Sequence, residues 1–169
     1  MIDGKRRHPN VVNIDEIEME ADQTGTRFAR RERRLGRAVG ATGIGCRWYE
    51  VPPGRTAFPF HYHCANEEAL YILDGEGTLR IGEHRVAVRP GDYVALPTGP
   101  DSAHQLLNTG AAPLRYLCLS TLSRVEVCGY PDSGKLAAMA TPATGAPATL
   151  QVIFREESTV DYYDREDIE

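Results

Sequence analysis

From residue 44 onward, apolar and polar positions alternate over short runs, and no stretch sustains the 3.6-residue period of an amphipathic helix. The runs GIGCRWYEV, EALYILDG, GTLRIG, HRVAV, DYVALP, AHQLLN and PLRYLCLST follow one another closely. Turn formers separate many of them: Gly75, Gly82 with Glu83, Pro90 with Gly91, Gly99 with Pro100, and Gly110. Strands so short and so densely punctuated predict hairpins in an all-β sandwich or barrel.

Outside this region the pattern changes. The first 43 residues read as an arm that adds one or two edge strands, and residues 44–125 as the barrel. Residues 126–169 read as an extension packed on it. Within that extension GYPDSGKLAAMATPATGAPA is loose and rich in alanine, glycine and proline. Its alanines predict a short helix, ahead of a last strand over TLQVIF. No internal repeat is visible. A chain of 169 residues is long enough for one core and marginal for two.

Charge and cysteines narrow the function classes. A net charge of −5 argues against nucleic-acid binding, although RFARRERRLGR gathers Arg27, Arg30, Arg31, Arg33, Arg34 and Arg37. The expected partner of this basic run is the acidic end DYYDREDIE. Cys46, Cys64, Cys118 and Cys128 form no C-x-x-C pair, so they are expected as free thiols. No apolar run is long enough to span a bilayer, and MIDGKRRHPN lacks the apolar stretch of a secretory signal, so the default expectation is the cytoplasm, with no membrane partner.

The candidate chemistry lies in HYHCANEEALYILDGEG. Alternate residues of an extended strand share a face, so His61 and His63 point together and Tyr62 points away. Glu68 shares a face with Leu70 and Ile72, which puts a carboxylate at the end of an apolar stripe, as at a pocket mouth. Glu67 could also reach a metal, but it falls on the other face. A second polar group, His104, leads a strand whose alternate positions are Leu106 and Asn108. Paired histidines also decorate exposed strands; a nearby carboxylate and a third histidine shift the balance toward a shared site. Three imidazoles and a carboxylate suit zinc, iron, manganese or nickel rather than calcium or magnesium. His8, in a polar terminus, and His84, in the turn GEHR, stand apart. Trp48, Tyr62, Tyr71 and Tyr116 read as packing residues, and Lys135 in YPDSGK as a solvated side chain.

Gly54, His61, His63, Glu68 and Gly75 resemble the first cupin motif, and Gly91, Pro97, Gly99, His104 and Asn108 resemble the second. The likeness covers roughly residues 44–125, and the chain is similar to uncharacterised small single-domain bacterial cupins. Two spacings depart from the pattern: six residues rather than five between Gly54 and His61, and four rather than two between Gly99 and His104. The second insertion is even, so His104 keeps its face if that segment is extended.

The resemblance implies a double-stranded β-helix, an antiparallel jelly-roll barrel, with one divalent metal per chain on His61, His63, Glu68 and His104, and a homodimer. The expected function is a metal-dependent enzyme acting on a small oxygen-rich molecule, a sugar derivative or keto acid, by isomerase, lyase or dioxygenase chemistry. The alternative is a non-catalytic, metal-containing module that binds a small ligand such as a sugar.

Overall fold

Alternation along each strand decides what is buried. In β5 (Glu68–Asp74), Leu70 and Ile72 are buried while Tyr71 and Leu73 face outward. The computed structural model describes residues 8–143 and 146–166. Before the barrel run β1 (Glu20–Thr24), β2 (Phe28–Arg33) and the single helical turn α1 (Leu35–Ala38). The barrel strands are β3 (Ile44–Val51), β4 (Tyr62–His63), β5, β6 (Gly77–Ile81), β7 (His84–Val88), β8 (Tyr93–Leu96), β9 (His104–Leu107) and β10 (Leu114–Thr121). After them come β11 (Val125–Tyr130), β12 (Lys135–Ala140) and β13 (Leu150–Arg155).

Among the described residues, one sheet has the order β1-β2-β3-β10-β5-β8. Opposite it lie β7-β6-β9 and β13-β12-β11-β4. These two are joined where His61 and His104 form an antiparallel bridge, each backbone N–H donating to the other's carbonyl at 3.1 and 2.8 Å. The fold is thus all-β, built of antiparallel sheets. Between them sits an apolar core that includes Tyr49, Val51, Ile72, Leu96, Leu114 and Tyr116. Each fully buried side chain of this kind contributes roughly 1.5–3 kcal/mol relative to exposure. Gly75 closes the β5–β6 turn with φ +79°, against the Pro113 carbonyl, where a side chain has neither the backbone freedom nor the space.

Three local expectations are corrected. The alanine-rich segment is not a helix: Lys135–Ala140 is strand β12, hydrogen-bonded between β11 and β13. Six residues are too few for a self-supporting helix, and two flanking strands satisfy the whole backbone. The arginine-rich run does not pair with the acidic tail among the described residues. Arg30 meets Asp22, Arg31 meets Glu50, Arg33 meets Asp15, and Arg34 meets Glu20 and Glu32. These partners stand beside it because β2 is hydrogen-bonded between β1 and β3. Finally, Pro100–Ser102 is a 3-10 turn rather than extended chain, so the even-insertion argument does not apply. What sets the direction of His104 is its bridge to His61.

Candidate metal centre

The four predicted residues arrive from three strands and one bridge position, and they meet. His61 immediately precedes β4, His63 ends it, Glu68 begins β5 and His104 begins β9. One ligating atom each of His61, Glu68 and His104 lies within 4.8 Å of the others. Glu68 Oε2 stands 3.4 Å from His104 Nε2 and 3.5 Å from His63 Nε2. The His61 ring centroid is 4.6 Å from that of His104 and 5.0 Å from that of His63. Glu67 is exposed, and its backbone N–H donates to Thr121 Oγ1 at 3.0 Å.

Hydrogen bonds behind the rings fix which nitrogen faces the cluster. His61 Nδ1 lies 2.8 Å from the Pro59 carbonyl, and His104 Nδ1 lies 3.0 Å from the Ser102 carbonyl. A carbonyl only accepts, so both Nδ1 atoms carry a proton and Nε2 is the nitrogen that each ring turns to the cluster. His63 Nδ1 lies 3.3 Å from Cys128 Sγ and 3.7 Å from Glu126 Oε2. Its Nε2 is buried and makes no hydrogen bond. An orphaned imidazole nitrogen beside a carboxylate is costly unless something binds it, and a divalent cation fits that donor set of nitrogen and oxygen.

Electrostatics follow from the crowding. Burial, reinforced by the neighbouring His104 and His63, pushes His61 down to about 4. For Glu68 burial acts upward, but contacts with His104 and His63 outweigh it and hold the carboxyl well below its usual range. For His63 burial acts downward, and contacts with Cys128 and Glu68 outweigh it, so the ring is raised. Without a metal, the proton on His63 and the charge on Glu68 stabilise each other.

Sequence reasoning missed the support supplied by β11. Glu126, 4% exposed, accepts backbone hydrogen bonds from Cys64, Ala65 and Asn66 at 3.1, 3.1 and 2.8 Å, and from Val127 at 2.9 Å. It therefore pins the loop between His63 and Glu68. The group His63, Glu126 and Cys128 also has metal-like spacing, but with four N–H groups on its carboxylate Glu126 serves the loop. Tyr130 stacks against His61, with centroids 6.0 Å apart and planes 21° apart. Lys135 reaches over the Tyr130 ring at 5.2 Å and does not line the cavity. Residues of β11 carry no signal in the sequence, because only pairing with β4 brings them to the cluster.

The cluster opens into a cavity of about 240 Å³, whose walls include Tyr49, Phe58, Leu70 and Tyr116. Tyr116, read as packing, both fills the core and lines this space. Cys46, Cys64, Cys118 and Cys128 are all free thiols.

A jelly-roll barrel with three imidazoles and a carboxylate converging in an interior cavity is the architecture of a cupin. Residues 47–120 match the family model described as a cupin domain. Among curated proteins it is similar to an uncharacterised protein of Methanocaldococcus jannaschii, 36% identical over 70 residues, 41% of this chain and 54% of that one. The chain thus matches about half the length of that relative. Among solved structures, a candidate sugar phosphate isomerase from Acidithiobacillus ferrooxidans superposes with TM-score 0.77 at 24% identity, covering 90% of this chain and 96% of that one. A sugar phosphate isomerase of the cupin superfamily from Silicibacter pomeroyi gives 0.76 at 23% identity, over 91% and 98%. These two likenesses establish the fold. No helix of the described residues is long and apolar enough to cross a membrane.

Proposed function

We propose that the chain is a metal-dependent enzyme acting on a small oxygen-rich molecule, a sugar derivative or keto acid, with one divalent metal held by His61, His63, Glu68 and His104. The observation that carries this reading is the buried His63 Nε2, free of hydrogen bonds and 3.5 Å from Glu68 Oε2, beside two imidazoles whose Nδ1 protons are already donated to carbonyls. Zinc, iron, manganese and nickel all suit such donors. A metal bound there supplies Lewis-acid polarisation of a carbonyl or hydroxyl oxygen. The chain's own part is to exclude bulk water with the apolar wall of Phe58, Leu70 and Leu106, and to orient the bound molecule against the cluster.

Isomerase, lyase and dioxygenase chemistry are compatible with that beginning. Among the described residues no imidazole or carboxylate lines the cavity outside the four, so a proton-moving reaction would draw on a phenol or thiol such as Tyr130 or Cys128. Turnover under strict anaerobiosis, against oxygen uptake coupled to product, separates these chemistries. A homodimer belongs to the same proposal. What supports it is β13, exposed along its whole length and bearing Leu150, Val152, Ile153 and Phe154; equilibrium sedimentation reads it directly.

The test of the metal reading is elemental analysis of full-length protein purified without chelator or affinity metal. About one divalent ion per chain is expected, strongly reduced in His61→Ala, His63→Ala and His104→Ala. Undiminished occupancy in all three variants overturns the assignment.

A further inference from the structure

Among the described residues lining the cavity, only two carry a permanent charge, Glu68 and Arg47. Arg47 lies on β3, where its cross-strand partner on β10 is Cys118, whose own partner on β5 is Leu70. All three line the cavity. Cys118 Sγ is 3.7 Å from Glu68 Oε1, so the side chain next to Arg47 in this row touches the four-residue cluster. From β3 to β5 is two strand spacings, roughly 10 Å between backbones. An arginine side chain and a small molecule together bridge that distance.

The guanidinium is held but not neutralised. Arg47 Nη1 donates to the Tyr49 hydroxyl at 3.2 Å, using one of the five N–H donors. Tyr49 is itself fixed between Phe58 and Tyr116, each ring centroid 5.4 Å away, so the acceptor that orients Arg47 is rigid. Among the described residues the carboxylate within 4 Å of Arg47 is that of Glu32, at 3.8 Å, too far for a hydrogen bond. Glu32 is already gripped by Arg34, whose Nη2 and Nε donate to it at 2.7 and 2.9 Å. This gives the arginine-rich run a role. β2 places Glu32 beside Tyr49 in register, where its Oε1 takes both Arg34 bonds and its Oε2 faces Arg47 at 3.8 Å, close enough to hold the guanidinium electrostatically without occupying any of its N–H donors. About half of the Arg47 side chain remains accessible, 49%, and it borders the cavity.

We propose that Arg47 is the anion-binding residue of this cavity. The molecule accepted there carries an oxyanion, carboxylate or phosphate, at one end, and the carbonyl or hydroxyl oxygen presented to the four-residue cluster at the other. The inference rests on the metal-dependent reading for that second end and on Arg47 alone for the first. A guanidinium fork with unused donors matches an oxyanion bidentately. The charge of the site agrees, because a divalent ion together with Arg47 exceeds the single negative charge of Glu68. At about 240 Å³ the cavity lies below the roughly 300–1,000 Å³ of pockets for drug-sized ligands, so the molecule is small.

The experiment is isothermal titration calorimetry on full-length protein, metal-loaded and chelator-treated, with glycolate, glycerol 3-phosphate and glycerol as probes. Wild-type protein is expected to bind at least one of the two anions tenfold or more tighter than neutral glycerol, and their relative affinity tells carboxylate from phosphate. Arg47→Met is expected to lower that anion's affinity at least tenfold and to leave glycerol within twofold. Arg47→Lys, which keeps the charge and the stem but loses the fork, is expected to lose at least threefold, and it carries the test should the methionine variant not fold. Anions binding no better than glycerol, or unchanged anion affinity in a folded Arg47 variant, overturn the proposal. Failure of the metal reading shows elsewhere, as identical affinities in loaded and chelator-treated protein; the Arg47 dependence is expected in both preparations.

Discussion

Replacing Glu126 by alanine tests whether β11 shapes the cluster. Its carboxylate accepts from three consecutive backbone N–H groups, Cys64, Ala65 and Asn66, in the loop that separates His63 from Glu68. Hydrogen bonds to a charged acceptor contribute about 1.5–3 kcal/mol each, so three represent a gross loss of about 5–9 kcal/mol. Two corrections reduce this. The Cys64 N–H keeps its bond to the Val127 carbonyl at 2.9 Å and Ala65 is exposed, so its freed N–H finds water, and removing a buried carboxylate relieves a desolvation penalty of several kcal/mol. A net loss of about 2–4 kcal/mol remains, which for a chain of this size lowers Tm by roughly 5–15 °C. The assay is urea unfolding of metal-free protein, reading the midpoint at unchanged m-value, with metal affinity measured in parallel. Affinity is expected to fall about tenfold or more, since Glu126 also stands behind His63 Nδ1. Glu126→Gln keeps the shape but aims an amide at N–H donors, and is expected to recover less than half of the loss. A Glu126→Ala protein within about 0.5 kcal/mol of wild type, the usual range for inconsequential surface changes, would refute the idea that this carboxylate pins the loop.

Glu68→Gln is expected to lose metal while Glu67→Gln keeps it; the reverse result would mean that the alternation along β5 is displaced by one residue. Metal uptake at neutral pH is expected to release about one proton per chain, read by calorimetry in buffers of different ionisation enthalpy. Its source is His63, raised without metal, whereas Glu68 is already ionised and His61 already neutral. Zero release contradicts this. In metal-free protein the signs oppose. Below the ordinary histidine range near pH 6.5 the raised His63 stabilises the fold fully, and that contribution is lost as pH rises through its folded value. The depressed His61 contributes above that range and loses its contribution as pH falls through about 4. Gly75→Ala is expected to destabilise the protein by about 2–4 kcal/mol in thermal unfolding, combining a positive φ with overlap against the Pro113 carbonyl.

The strands of the barrel were legible because their code is local. Period-two alternation and turn residues state which side chains point inward without knowledge of what they meet, as Leu70 and Ile72 against Tyr71 and Leu73 show. The candidate quartet was legible for a related reason: histidines at alternate positions and a carboxylate at the end of an apolar stripe share faces by strand geometry alone. What the sequence could not state is anything set by the partner strand. KLAAMA has a helical composition and is a strand, because β11 and β13 offer edges on both sides. The direction of His104 comes from its bridge to His61 across a 3-10 turn, where parity along the chain means nothing. Glu126 and Cys128 lie more than 60 residues from His63 along the chain, and in the Arg47, Cys118 and Leu70 row Cys118 lies 71 residues from Arg47 and 48 from Leu70. Hydrogen-bonded pairing between strands brings such residues together, and that pairing depends on closure of the whole barrel rather than on any local pattern. The sequence by itself determined the barrel strands and the candidate metal ligands; the tertiary structure decided which nitrogen each histidine presents, what holds the loop between them, and which charge faces the cavity.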